Sequence, residues 1–242
     1  MLSLKNYSIT VEEKAIVKDL SYTFEDGKIT AILGHNGSGK SSLALSLAGH
    51  PRYKTTGEAT LNGHVLTGLN ATERYNQGLF LSFQNIPEIP GIKVSEYLRT
   101  VYNENFKRQF PNEKPPSPFV FKRMVTKILP TLSLQESFLD RDLYVGFSGG
   151  EKRKIELLQI ELLSPQVIIL DEIDSGLDID AIIVLREHVE TWRTNGKTII
   201  IISHNFHLLE NIKVDKVLIL RDWQIDRHGE QALINHVITH GF

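Results

Sequence analysis

The chain has 242 residues, of which 41% are hydrophobic and 23% charged, and its formal net charge is -2. This length suits one large α/β domain or a core domain carrying a subdomain, and the balanced charge leaves no basic excess for direct binding of nucleic acid or anionic lipid. Zero cysteines exclude disulfides, thiolate metal sites and cysteine nucleophiles, so any sulfur chemistry the protein serves is carried by something else.

In chain order, Leu2 to Val11 and Ala15 to Phe24 alternate in hydrophobicity and are separated by Glu12-Glu-Lys14, which predicts antiparallel strands joined by short turns. The opening MLSLKNYSIT lacks the basic start and apolar core of a signal peptide, and no apolar run approaches the length of a membrane helix. A cytoplasmic location without membrane insertion is therefore expected. Lys28 to Leu33 is a β-branched apolar run of strand length, and Ser41 to Gly49 has helical spacing. Between them, the stretch Gly34 to Ser42 fits G-x-x-x-x-G-K-[ST] at Gly34, Gly39, Lys40 and Ser41.

That context makes a phosphate-binding loop of Gly34, His35, Asn36, Gly37, Ser38, Gly39, Lys40, Ser41 and Ser42. Glycines let successive backbone N–H groups turn inward, and the following helix N-terminus adds partial positive charge. Lys40 would meet the β- and γ-phosphates and the Ser41 hydroxyl would face Mg2+. Beyond the loop, Asn62-Gly63 between apolar runs predicts a hairpin within Gly57 to Thr67, and Gly78 to Phe83 predicts a buried strand ended by Gln84.

From Asn85 to about Ser164, clustered prolines separate helical patterns at Val94 to Tyr102 and Phe119 to Leu132, which predicts an inserted, mostly helical subdomain over residues 85–164. Residues 1–84 and 165–242 then form the core of a single 1–242 domain. Strands at Val167 to Leu170, Thr198 to Ile202 and Val214 to Leu220 alternate with helical stretches at Ile179 to Trp192 and Phe206 to Ile212, the pattern of parallel βαβ units.

Open α/β sheets bind ligands at the carboxyl ends of their strands. Asp171, ending the Val167 strand, is placed to reach Mg2+ beside Ser41, and Glu172 to polarise the attacking water. His204 follows the Thr198 strand and Gln84 the Gly78 strand in the same way. Alone, each is an unremarkable polar residue; together they share one predicted sheet edge. Ser148, Gly149, Gly150 and Glu151 open the helical pattern Lys152 to Leu163. In isolation they read as a helix cap, and beside a phosphate loop they read as a second anion site serving a nucleotide held by another copy. The basic run Lys152-Arg153-Lys154 consists either of solvated surface charges or of cations near Glu172, with Arg153 the best shaped to pair with a carboxylate.

In order and spacing, the Gly34 loop, Gln84, Ser148 to Glu151, Val167 to Glu172, Ser175 to Asp178 and His204 resemble the ABC ATPase superfamily. The segments Ala48 to Tyr53, Glu88 to Gly91, Gly146 to Glu151 and Asp171 to Ala181 are similar to the ATPase subunits of the SUF iron–sulfur cluster assembly machine. The resemblance implies a P-loop NTPase fold of α/β class, with a RecA-like parallel-sheet core, an N-terminal antiparallel β subdomain and an inserted helical subdomain. It implies Mg2+-dependent ATP hydrolysis with Lys40, Glu172 and His204 catalytic. It also implies that ATP is bound by the Gly34 loop, Gln84 and Asp178 and by the Ser148 to Glu151 motif of a second copy, and that Ser41, Gln84 and Asp171 face the metal. Implied partners are the scaffold subunits of SufB and SufD type, with homodimerisation dependent on nucleotide. A membrane-transporter ATPase is the alternative. Val11 stands where many ABC ATPases stack an aromatic on adenine, and Trp223 where they often have Gly.

Overall fold

A computed structural model of the chain describes residues 1–173, 177, 179–203 and 206–242. The chain opens with β1 (Leu2–Val11) and β2 (Lys14–Phe24), an antiparallel pair. Glu12 and Glu13 between them both have positive φ, the mark of the tight turn whose twist matches paired strands. The buried residues of β1 run Leu2, Leu4, Tyr7 and Ile9, so strict alternation skips one position. The skip is a bulge centred on Asn6, which has φ 49°.

β3 (Ile29–Leu33) is buried along its length, and α1 (Lys40–Leu47) follows the glycine loop. β4 (Lys54–Leu61) pairs with β1 on the edge opposite β2 and turns through Asn62-Gly63 into β5 (His64–Val65), giving a four-stranded antiparallel sheet in the order β2-β1-β4-β5. α2 (Ala71–Asn76) lies outside the elements expected from the sequence. Its signal was present, because Asn70 and Glu73 form a reciprocal capping box. β6 (Leu79–Ser82) follows.

The middle of the chain contains β7 (Ile89–Lys93), α3 (Val94–Gln109), α4 (Pro118–Ile128), the two-residue β8 (Asp142–Leu143) and α5 (Gly149–Leu163). The helical pattern expected from Phe119 to Leu132 breaks at Ile128 into a 3-10 turn over Leu129–Leu132. Pro130 has no N–H to continue the ladder. The rest of the chain alternates β9 (Val167–Asp171), α6 (Ile179–Thr194), β10 (Thr198–Ile202), α7 (Phe206–Glu210) and β11 (Lys216–Arg221), then adds β12 (Gln224–Gly229) and α8 (Ala232–His240). The last two elements were also not anticipated.

Two compact units result: Met1–Phe83 with Pro165–Asp174 and Arg186–Phe242, and Gln84–Ser164 with Ser175–Leu185. The sequence reading keeps 175–185 with the core. In the first unit a six-stranded sheet runs β12-β11-β3-β10-β9-β6, parallel throughout except for the antiparallel β12. β3, β9 and β10 are buried on both faces and accordingly read as continuous apolar runs rather than alternating ones. α1 buries Leu43, Ala44 and Leu47 in one cluster with Leu2, Tyr7 and Val17 of the antiparallel sheet and Ile169 and Ile200 of the parallel one. In the second unit, α3, α4 and α5 bury Leu98, Phe121, Val125, Ile155 and Leu158. Among the described residues no helix is long and apolar enough to cross a membrane.

The β1 bulge is matched by Gly57 in β4, where a Cβ would stand 2.1 Å from the Asn6 carbonyl oxygen and φ is +79°. Both the angle and the space demand glycine. Gly57→Ala should therefore lower stability by about 1–3 kcal/mol, read as a reduced urea midpoint with an unchanged slope.

Candidate nucleotide-binding site

β3 ends at Leu33 and the loop that follows is shaped by steric necessity. Gly34 has φ +150°, and a Cβ there would lie 2.3 Å from the Leu220 carbonyl of β11. Gly39 has φ +102°, and its Cβ would stand 2.8 Å from the Ile16 carbonyl of β2. Glycine is required at both ends of the loop because neighbouring backbone already fills the space. The loop is thus wedged between strands from both sheets of this unit.

Lys40, the first residue of α1, curls back through the loop. Its Nζ donates to the Gly34 carbonyl at 2.7 Å and to the His35 carbonyl at 2.9 Å, and the residue is 6% exposed. Burial lowers the pKa of its ammonium, against the opposing pull of Glu172 and Asp171. These two carboxylates and the loop carbonyls hold the cation where an anion entering the loop meets it. The N-terminus of α1 carries no side-chain cap and no acidic residue in its first turn, which leaves its leading N–H groups directed at the loop. Ser38 is buried, and its Oγ has no hydrogen-bond partner among the described residues.

The Ser41 hydroxyl donates to Asp171 Oδ1 at 3.1 Å, and Asp171 is 2% exposed. The contact brings the loop helix and the end of β9 together, as the sequence required. Two hard oxygen donors held side by side suit Mg2+, which takes few protein ligands and completes its shell with phosphate oxygens and water. Glu172, the next residue, is in the left-handed region at φ 50°, and its N–H donates to the Ile202 carbonyl at 2.8 Å. A non-glycine residue in that conformation is uncommon. Here it turns the chain off the strand end immediately after Asp171.

The second helix N-terminus named by the sequence is built differently. Ser148 Oγ accepts from the Glu151 N–H at 3.2 Å, and Glu151 Oε2 accepts from the Ser148 N–H at 2.8 Å. This capping box uses the serine and the carboxylate on each other and leaves Gly149 and Gly150 as the uncommitted first turn of α5. Gln84 is exposed and begins the second unit. Of the two expectations for the basic run, a solvated charge or a cation paired with Glu172, Arg153 departs from the first, being 3% exposed, and the carboxylate it meets is not the expected one but Glu156, at Oε2 2.7 Å away; it also donates to the Gln84 carbonyl at 2.9 Å. The i, i+3 spacing of Arg153 and Glu156 was the available signal. Asp178 and His204 lie outside the described residues.

A glycine-walled loop around a buried lysine, leading into an uncapped helix whose serine meets a strand-end aspartate, is the phosphate-grasping arrangement of P-loop nucleotide-binding proteins. Residues 17–175 match the ABC transporter family, and the chain belongs to it. It is an ATPase that takes ATP with Mg2+. It is 37% identical over its whole length to the probable ATP-dependent transporter SufC of Escherichia coli, covering 96% of that protein. It is also 39% identical to the probable ATP-dependent transporter ycf16 of Antithamnion, over 93% of this chain and 89% of that one. Among solved structures, a dimeric bacterial ABC transporter cassette shares the fold with a TM-score of 0.79 and 19% identity, over 96% of this chain and 99% of its own.

Lys40→Ala removes both the phosphate-directed charge and the two hydrogen bonds that close the loop. ATP hydrolysis measured by phosphate release should fall to background. The melting temperature should drop as well, by the equivalent of about 1–3 kcal/mol, because two carbonyls lose a charged donor. Undiminished hydrolysis would overturn the role of this loop.

Proposed function

We propose that this ATPase is the energy-coupling subunit of a SUF-type iron–sulfur cluster assembly complex, driving conformational change in scaffold subunits of SufB and SufD type. The observation that carries the reading is the likeness to SufC and ycf16 proteins at 37–39% identity over 93–100% of the chain. The absence of cysteine agrees with it, since a scaffold would supply the sulfur ligands. A cytoplasmic location goes with this proposal.

In this mechanism Lys40 and the α1 N-terminus neutralise phosphate charge, Ser41 and Asp171 hold Mg2+, and Glu172 orients and deprotonates the attacking water. Mg2+ supplies charge neutralisation on the phosphates when bound. Gln84 as a metal-side residue, Asp178 as a nucleotide contact and His204 at the γ-phosphate belong to the proposal on motif order. Ser148, Gly149, Gly150 and Glu151 act on the nucleotide of a second copy, so two chains close head to tail around two ATP molecules.

The partner surface is placed on the second unit, along Gln84 to Arg99. All five residues of β7 are exposed, including Ile89 and Ile92. α3 then borders a groove of about 490 Å3 lined by Glu96, Arg99, Asn103, Phe121 and Leu139. Arg99 Nε and Asn103 Oδ1, one turn apart, are both inaccessible and have no hydrogen-bond partner among the described residues.

A tagged copy should pull down β-helical scaffold subunits; capture of an integral membrane protein instead decides for a transporter. Glu96→Lys should weaken scaffold binding in that assay while leaving basal hydrolysis near the unmodified rate, and equal loss of both counts against the surface. Glu172→Gln keeps the shape but removes the base, so turnover should drop by on the order of 10^2 to 10^4. The same variant should accumulate as an ATP-bound dimer on a sizing column. A monomer under those conditions, even with scaffold subunits present, sinks the shared-site arrangement.

A further inference from the structure

The second unit buries a chain of polar groups whose purpose packing alone does not explain. Arg153 and Glu156, on α5, are 3% and 4% exposed and paired at 2.7 Å. One turn on, Gln159, 6% exposed, donates to the Tyr144 hydroxyl at 2.6 Å and accepts from the Tyr97 hydroxyl at 3.2 Å. Burial, reinforced by Glu156, raises the pKa of both tyrosines and keeps them neutral. Stripping two charges of water costs several kcal/mol per ion, and apolar residues of similar volume often stabilise a core better. The pair is better explained by the geometry it enforces than by stability.

That geometry joins two marked places. The Arg153 guanidinium presents one edge to Glu156, while its Nη2 donates to the backbone carbonyl of Gln84 at 2.9 Å. Its neighbour Lys152 repeats the hold further along: Nζ lies 3.5 Å from the Ile86 carbonyl and 3.3 Å from Glu88 Oε1. Two consecutive basic residues, one turn into the helix capped by Ser148, therefore fasten the segment from Gln84 to Glu88. A guanidinium fork serves two acceptors in a fixed plane, which an ammonium point charge does not.

We infer that Arg153, oriented by Glu156, is a positioning residue that locks the backbone of Gln84 to the start of α5, so that Gln84 and the Ser148–Glu151 motif respond to nucleotide as one rigid body. The inference rests on the assignment of Gln84 to the nucleotide site. It makes α5 the lever by which a change at one nucleotide-directed segment is felt at the other, with Arg153 acting through Gln84 rather than on the reacting atoms.

The test is a double-mutant cycle in the full chain, with ATPase kinetics and Mg2+ titrations on Arg153→Met, Gln84→Ala and the combination. Arg153→Met should lower kcat by on the order of tenfold to a hundredfold, as displaced positioning groups do. It should also raise the Mg2+ concentration needed for half-maximal hydrolysis. Binding of a fluorescent ATP analogue without Mg2+ should change less than about twofold, since the phosphate loop is untouched. Gln84→Ala should add little to Arg153→Met, because both act through one group. Arg153→Lys should restore the melting temperature more fully than it restores kcat. Multiplying losses, or an Arg153→Lys enzyme with unmodified kcat and Mg2+ requirement, overturn the lock. A Gln84→Ala enzyme with full activity removes the Gln84 assignment itself, a separate failure. If Arg153→Met does not fold, the cycle run with Arg153→Lys decides the same question.

Discussion

The phosphate end of this protein depends on the parallel register of β3, β10 and β9. Ile202 pairs with Ile32 on one side and with Asp171 on the other, which brings the ends of three buried strands to one level. From that level the glycine loop leaves β3, Asp171 closes β9 against Ser41, and Glu172 turns back to hydrogen-bond the Ile202 carbonyl. A one-residue slip of β9 would turn Asp171 to the opposite face of the sheet and part it from Ser41. The register is held by side chains buried on both faces, and a buried parallel sheet tolerates few alternatives.

The two helix N-termini named by the sequence show how one kind of backbone end is put to different uses. α1 begins at a left-handed glycine with no side-chain cap and no acidic residue in its own first turn, so its N–H groups stay available to an anion. α5 begins with a closed capping box, in which Glu151 serves the end that would otherwise attract an external anion. The first has the open backbone geometry of a phosphate cradle, whereas the second is a stable helix start that leaves two glycine N–H groups uncommitted. This difference suits an arrangement in which one chain grips the nucleotide and another closes over it.

Charge is distributed with similar economy. Lys40 is a buried cation whose partners are loop carbonyls and whose field comes from Glu172 and Asp171, so among the described residues it is held in place without a direct ion pair. Arg153 is the opposite case, a buried cation with a dedicated carboxylate. Exposed pairs such as Lys107–Glu104 contribute at most about 1 kcal/mol and decide little. The charges that matter are those that burial makes costly to misplace.

The sequence by itself determined the phosphate loop, the strand-end carboxylates, the alternation of buried strands and helices, and the ABC ATPase resemblance. These are local: G-x-x-x-x-G-K-[ST], an apolar run ending in Asp171-Glu172, and a serine–glycine helix start each carry their chemistry within a few residues. Elements whose stability comes from distant partners were missed or cut short. β7 and β8 exist only as each other's neighbours, and β12 only as the antiparallel edge of β11. The tertiary structure alone decided which cation does what. Lys152, Arg153 and Lys154 are equivalent as a sequence run, and only the packing of α5 buries Arg153 between Glu156 and the Gln84 carbonyl. It likewise decided why Gly34, Gly39 and Gly57 must be glycine, since the backbone oxygens that exclude a Cβ come from strands up to 186 residues away in the chain, as Leu220 is from Gly34. Local pattern encodes which groups are present; burial and close approach, which depend on the whole fold, encode what each can touch.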